Sequence, residues 1–385
     1  MRYVGAILLL ASSSACTRLP PPLLETCLPT SAGDVSFSAD GARASRTFDV
    51  LTFNIEGLGW PARANRGPAL ARISAALRQM ERHGNAPDVV MVQEMFSKAA
   101  VRAVTGIGYP NMVFGPSRTQ RKSLPGADRM PGPYRWKKGE LGLHMVGSGL
   151  AILSRYPIVE TRSEPFGRRR CAGLDCLGNK GVLYAHLAIP GVPGAINLFN
   201  THLNSQRSSR VSPRRHARAH RLQVDELGAF IAAVGDQDVP TILGGDFNMK
   251  NSAIRFERFR NVTEPFEIVQ EWCTANPLPC DTRISWDGDE PWMDTQDLQL
   301  FESGSSVTVT PIRVQAVFDG SAGSPRLSDH DGFRVTYRVS WHVTVSSRTE
   351  RAGALPRCGR EGGTNREDSG LDETAHGVRR AGRGA

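Results

Sequence analysis

The hydrophobic pattern changes rhythm repeatedly between residues 46 and 342. The run RTFDVLTFNI at 46–55 alternates apolar and polar positions, the period of a half-buried β-strand. The run RGPALARISAALRQMERH at 66–83 puts Leu70, Ile73, Leu77 and Met80 at helical spacing. Pro68 sits near its start, where proline is tolerated. DVVMVQEMF at 88–96 is almost unbroken apolar and predicts a buried strand. SGLAILSRYPI, KGVLYAHLAI and AINLFNTHL predict further strands. HRLQVDELGAFIAAV at 220–234 reads as a helix with Leu222, Leu227 and Phe230 on one side. TILGG then gives a short buried strand, and VTVTPIRVQAVF and GFRVTYRVSWHV give two long ones. Many strands and few helices predict a layered α/β fold with much antiparallel pairing.

Polar residues collect where these strands end. Asn54 follows LTF, Glu94 closes VVMVQ, and His202 closes NLFNT. Asp246 and Asn248 follow TILGG, while Asp329 and His330 precede the last strand. Singly, each has an ordinary role. Glu94 would cap the helix that follows, His202 would be a satisfied core histidine, and Asp329 and GGDFN would shape turns. Together they offer oxygen ligands for a hard cation and two imidazoles suited to acid–base work near neutral pH. That set suits metal-assisted attack of water on a phosphate ester. Extended geometry past TILGG would point Asp246 and Asn248 the same way. The two glycines are expected to let a phosphate and a metal sit against the strand end.

The ordered motifs TFNI, VVMVQE, GSGLAILSRYPI, FNTHL, GGDFN and SDHDG, spread over roughly residues 46–342, resemble the endonuclease/exonuclease/phosphatase superfamily. Its members include deoxyribonuclease I, abasic-site endonucleases, inositol polyphosphate phosphatases and neutral sphingomyelinases. The resemblance implies an α/β fold of two mostly antiparallel β-sheets packed face to face and flanked by helices, a four-layer sandwich. It implies Glu94 as the main ligand of Mg2+ (or Mn2+), with Asn54 beside it. His202 would contact phosphate or donate a proton. Asp246 and Asn248 would orient water and phosphate, Asp329 would support the metal or the water, and His330 would be the opposite acid–base group. The family orients that last histidine with an Asp before the penultimate strand, and WMDTQDLQLF offers both Asp294 and Asp297. LDCLGNKGVLYAHL is similar to a segment of neutral sphingomyelinases in which Asp175 and Lys180 would lie near the site. Its ordinary reading is a disulfide-closed loop with a solvated lysine.

Charge and cysteines add compartment and partner. The formal charge is +9, from 47 basic and 38 acidic residues. Basic runs at 118–138 and 206–221 would attract a nucleic-acid backbone or anionic phospholipid if they flank the site. The basic runs do not choose between these; the resemblance of LDCLGNKGVLYAHL implies a sphingomyelinase-like phospholipid hydrolase, with a secreted deoxyribonuclease I-like endonuclease as the alternative. No exposed aromatic hairpin stands out, which counts against the lipid substrate. A non-catalytic binding protein is a third class, but it needs no paired histidines. MRYVGAILLLASSSAC begins with one Arg before an apolar run too short to span a bilayer, which fits an export signal at 1–16. Cys16 is then a site for lipid and membrane attachment, or the chain is simply secreted. The expected destination is the periplasm, the outer membrane or the exterior. The chain has seven cysteines, and Cys171/Cys176 and Cys273/Cys280 are spaced for local disulfides in an oxidising compartment. Residues 17–45 read as a linker, 46–346 as one domain expected to be monomeric, and 347–385 as a disordered tail.

Overall fold

The computed structural model describes residues 19–25, 35–60, 62–122, 130–284, 295 and 297–343. The expected signal at 1–16, the tail from 347, Cys16 and Asp294 lie outside the described residues.

In chain order the strands are β1 (Ser36–Phe37), β2 (Arg43–Asn54), β3 (Val89–Gln93), β4 (Asn111–Phe114), β5 (Ala151–Ser154), β6 (Ile158–Pro165) and β7 (Gly181–Leu187), then β8 (Ile196–His202), β9 (Thr241–Asp246), β10 (Glu267–Ile268), β11 (Asp281–Arg283), β12 (Asp297–Glu302), β13 (Val307–Val317) and β14 (Gly332–His342). One sheet runs β11-β13-β14-β2-β3-β5-β4, with β1 added beside β2. The other runs β10-β12-β9-β8-β7-β6. Only β2–β3, β8–β9 and β11–β13 pair in parallel among the described strands, so both sheets are mixed and mostly antiparallel. The helices are α1 (Arg66–Arg82), α2 (Lys98–Thr105), α3 (Pro213–Val234), α4 (Ala253–Thr263) and α5 (Val269–Ala275).

The period of two in the strands assigns each residue to a layer. Along β2, Phe48 and Val50 enter the core between the sheets. Leu51 and Phe53 face the other way, onto Leu70, Ile73 and Leu77 of α1 and Val101 and Val104 of α2. Along β9, Ile242 joins the inter-sheet core, while Leu243 packs with Leu227 and Phe230 of α3 and with Phe256 and Phe259 of α4. The layers are therefore helix, sheet, sheet, helix.

Three local expectations change. Helix α3 starts at Pro213, well before residue 220, because its first turns are arginine-rich and show no apolar stripe. Helix α2 follows Glu94, but its cap is Ser97, whose side chain accepts from the Ala100 N–H. Glu94 is thus free of the capping role. Part of the expected linker is built into the fold: Leu23 and Met112 exchange backbone hydrogen bonds of 2.9 and 2.7 Å, and β1 pairs with β2. Disulfides join Cys171 to Cys176 and Cys273 to Cys280.

Candidate active site

The inter-sheet layer is apolar at one end and polar at the other, and strand parity carries the change. In β8, Ile196 and Leu198 share a face with Asn200 and His202. In β2, Val50 shares it with Thr52 and Asn54. In β9, Ile242 shares it with Gly244 and Asp246. A middle layer of amides stitches the sheets. Gln93 donates to Asn200 at 2.7 Å, and Gln299 donates to the Val50 and Phe333 carbonyls at 3.0 Å each. Beyond this layer lies the site.

Register brings its members to one end. Asn54 and His202 terminate β2 and β8, Asp246 terminates β9, and Asp297 opens β12 directly opposite Asp246. Phe333 pairs with Thr52, so the loop bearing Asp329 and His330 meets the end of β2. Ser328 locks that loop by donating to the Asn54 carbonyl at 2.7 Å.

Asp246 is the hub. Its Oδ2 accepts from Asn54 Nδ2 at 2.9 Å and lies 3.3 Å from His202 Nε2 and 3.9 Å from His330 Nε2. Its Oδ1 accepts from the Asn248 N–H at 3.0 Å. Asn248 has a φ of 51°, so extended geometry stops at Asp246 and the chain turns. The expected common direction of Asp246 and Asn248 is thus replaced by a turn, and Asn248 Nδ2 donates to the Leu203 carbonyl at 3.1 Å. Glu94 also has a left-handed φ, 60°, which swings it out of β3, and its Oε1 lies 4.0 Å from His202 Nε2.

The two histidines have different partners. His330 Nδ1 is 2.6 Å from Asp297 Oδ2, the contact that Asp294 or Asp297 was expected to make. Burial works against protonation of His330, but Asp297, then Asp246 and Asp329, raise its pKa to about 11. His202 is lowered well below 6.5, first by burial and then by the neighbouring Lys180 and His330 cations. Lys180 Nζ lies 3.0 Å from His202 Nε2 and donates to the Leu203 carbonyl at 2.8 Å. An ammonium only donates, so His202 Nε2 accepts and its ring proton sits on Nδ1. That Nδ1 is buried and has no hydrogen-bond partner. Lys180 also pairs with Asp175 Oδ1 at 2.9 Å. It is 6% exposed, so the solvated-lysine reading of this segment fails.

The carboxylates are short of positive charge. Burial raises the pKa of Glu94 despite Lys180, His330 and a hydrogen bond from Asn54. Burial and then Asp297 raise that of Asp246. Among the described residues, one oxygen or nitrogen atom from each of Asp246, Asp297 and His330 falls within 4.8 Å of the others. His330 is cationic and has Nδ1 committed to Asp297, so it repels a cation. The oxygen donors of Glu94, Asn54 and Asp246 fit a hard divalent ion better. Asp329 is half exposed at the rim, 3.4 Å from Arg63 Nη2.

The glycines of GGDFN serve packing and not a ligand. A Cβ on Gly244 would lie 2.7 Å from Thr52 Oγ1 and 2.9 Å from Met91 Sδ, and one on Gly245 would lie 2.2 Å from the Thr201 carbonyl. The expectation that they admit phosphate is corrected: the facing sheet and strand β8 fill that space. Supporting residues had no sequence signal. Ser205 donates to Asp175 Oδ2 through N–H and hydroxyl at 2.6 and 2.5 Å. Buried Arg255 of α4 donates to the Asn204 and Asn248 carbonyls at 2.8 and 2.7 Å, stapling the loops after β8 and β9.

Two face-to-face mixed sheets between helices, with acids, amides and imidazoles at one rim, constitute a deoxyribonuclease I-like fold. A family model described as "Endonuclease/Exonuclease/phosphatase family" matches residues 51–330, and the chain belongs to that family. The solved structures that share the fold include two at a TM-score of 0.51. One is beta toxin from Staphylococcus aureus with bound magnesium ions, 18% identical with a TM-score of 0.51, covering 75% of this chain and 99% of that one. The other is sphingomyelinase C from Streptomyces griseocarneus, also 18% identical at 0.51, covering 76% and 99%. No curated protein sequence matches the chain.

Proposed function

We propose that this protein is a divalent-metal-dependent phosphodiesterase that hydrolyses a phospholipid of the sphingomyelin class by activated water. The observation that carries the reading is the convergence of Glu94, Asn54 and Asp246 with two histidines, one cationic and one neutral, at one strand-end rim. Glu94 and Asn54 would hold Mg2+ (or Mn2+), with Asp246 beside them. When bound, such an ion polarises a phosphoryl oxygen and lowers the pKa of water.

The protein's own groups divide the remaining work. Asp246 accepts a hydrogen bond and orients the attacking water, with Asn248 beside it. His330, held cationic by Asp297, donates from Nε2 to a phosphoryl oxygen or to the leaving oxygen. His202 stays neutral, and Lys180 supplies the positive charge on that side. Asp329 supports the rim.

The sphingomyelin class rests on Lys180 and Asp175. They stand in the segment that resembles neutral sphingomyelinases and lie against His202. The likeness in fold to a sphingomyelinase C supports the same choice. The reading includes export as a monomer, consistent with disulfides in an oxidising compartment. Purified protein should be tested side by side on sphingomyelin, plasmid DNA and inositol phosphates, with magnesium and with chelator. Chelator-sensitive turnover of sphingomyelin above the others is expected. Preferential cleavage of DNA would move the protein to the nuclease reading.

A further inference from the structure

One exposed surface lies outside the catalytic groups and has a single chemical character. The loop of residues 130–150 leads into β5 along the site's rim. At its far end the Met95 N–H, next to Glu94, donates to the Gly149 carbonyl at 2.9 Å. In its middle His144 Nδ1 lies 3.1 Å from the Cys176 carbonyl, and the Met145 N–H donates to Leu177 at 2.7 Å. Those acceptors belong to the disulfide-closed turn that carries Asp175. The loop therefore spans the rim between Glu94 and Asp175.

Its outer face presents apolar rings among cations. Trp136 is 55% exposed, Leu143 49% and Tyr134 38%. Lys137 Nζ stands 5.1 Å from the Trp136 ring centroid, and the Arg169 guanidinium 4.8 Å from that of Tyr134. Arg168 donates to the Gly142 carbonyl at 2.8 Å, beside Tyr134. Arg135 and Lys138 add further charge. The one acid between Tyr134 and His144 is Glu140, which is buried and spent on Arg215 at 2.7 and 2.5 Å. Aromatic rings with cations alongside match the headgroup level of a bilayer, where the ring enters the acyl boundary and the cation meets phosphate.

We infer that the surface formed by Tyr134, Trp136 and Leu143 with Lys137, Lys138 and Arg169 docks the enzyme onto an anionic phospholipid bilayer. The inference deepens the phospholipid reading and rests on it. Leu143 favours a bilayer over nucleic acid as occupant, because an aliphatic side chain gains by entering acyl chains and offers a base nothing to stack on. It also bears on the expectation that no exposed aromatic hairpin stands out. The sequence shows no hairpin there because the rings are held by a loop.

The test is sedimentation of the full chain with sphingomyelin-free vesicles of phosphatidylcholine, with and without phosphatidylserine. Binding to the anionic vesicles is expected. Trp136→Ala should weaken it about tenfold. Lys137→Ala and Lys138→Ala should each weaken it about fivefold. Thermal melts of each variant should match the parent, since these side chains are exposed. Turnover of detergent-dispersed sphingomyelin should be unchanged, which separates docking from hydrolysis. Absence of wild-type sedimentation, or equal sedimentation by all variants, overturns the docking surface even if turnover is normal. Tighter retention of a single-stranded oligonucleotide, lost in Trp136→Ala, would assign the surface to nucleic acid instead.

Discussion

His202 and His330 both face the Asp246 carboxylate, yet only His330 is charged. His330 sits among Asp297, Asp246 and Asp329, and is held protonated. His202 is more deeply buried, has Lys180 against Nε2, and is held neutral. The residue type is the same and the motif positions look equivalent in sequence. Their partners, not their identity, decide which is the proton-bearing group. A phosphodiester between them would meet a cationic imidazole on one side and an ammonium backed by a neutral imidazole on the other. The rim thus supplies two positive groups from three basic side chains.

The largest effect should come from removing either ring. His330→Ala should lower turnover by about 10²–10⁴-fold, the range of positioned acid–base help, and His202→Ala should lower it by unseating Lys180. The double variant should lose less than the product of the two, as groups acting on one phosphate are non-additive. Steady-state kinetics on the best substrate measures both. Near-normal turnover in either single variant would break the comparison.

Asp297→Asn should act first on His330 and should also let the Asp246 pKa fall. Leaving one member of a buried pair costs about 3 kcal/mol of stability. The folded pKa of His330, about 11, lies above its ordinary value of 6.5. The stabilisation is therefore complete below about pH 6.5 and is lost as pH rises towards 11. Thermal melts should show the variant's deficit to be larger at pH 6 than at pH 10. A deficit that grows with pH would contradict the assignment.

Opening the Cys171–Cys176 ring with two serines should cost about 2 kcal/mol by the loop-entropy argument. It should also loosen Asp175 and Lys180, so turnover should fall with the His330 pKa unchanged. The smallest shift in histidine titration belongs to Lys180→Met, although turnover should fall with the lost charge. Removing the ammonium should let the His202 pKa rise, while burial still holds it below 6.5. An NMR titration of the imidazole resonances reads both histidines in one experiment.

How much was legible in the sequence follows from this geometry. Glu94, His202, Asp246 and His330 were visible because each closes or precedes an apolar run, and strand parity carries a face's character to the strand end. The choice between Asp294 and Asp297 was not visible, because it depends on the register that sets Asp297 opposite Asp246. The function of Gly244 and Gly245 was misread because the crowding comes from Thr52, Met91 and Thr201, on other strands. Arg255 left no trace, since an arginine in a polar helix looks solvated until its carbonyl partners are known. The amphipathic helices α1 and α3 and the long strands were plain from periodicity, whereas α4 alternates Arg and Phe without a clear stripe.

On the proposed reading, a divalent cation held at Glu94 drives phosphodiester hydrolysis at this rim. Glu94→Gln keeps the size of the side chain and removes its charge. The direct measurement is sphingomyelin turnover by wild type and Glu94→Gln across a magnesium titration, with matched thermal melts to confirm folding. Wild-type turnover should rise with magnesium and vanish with chelator, and the variant should lose most activity at every magnesium concentration. Wild-type activity that is indifferent to chelator, or a variant that equals wild type at saturating magnesium, would contradict the account.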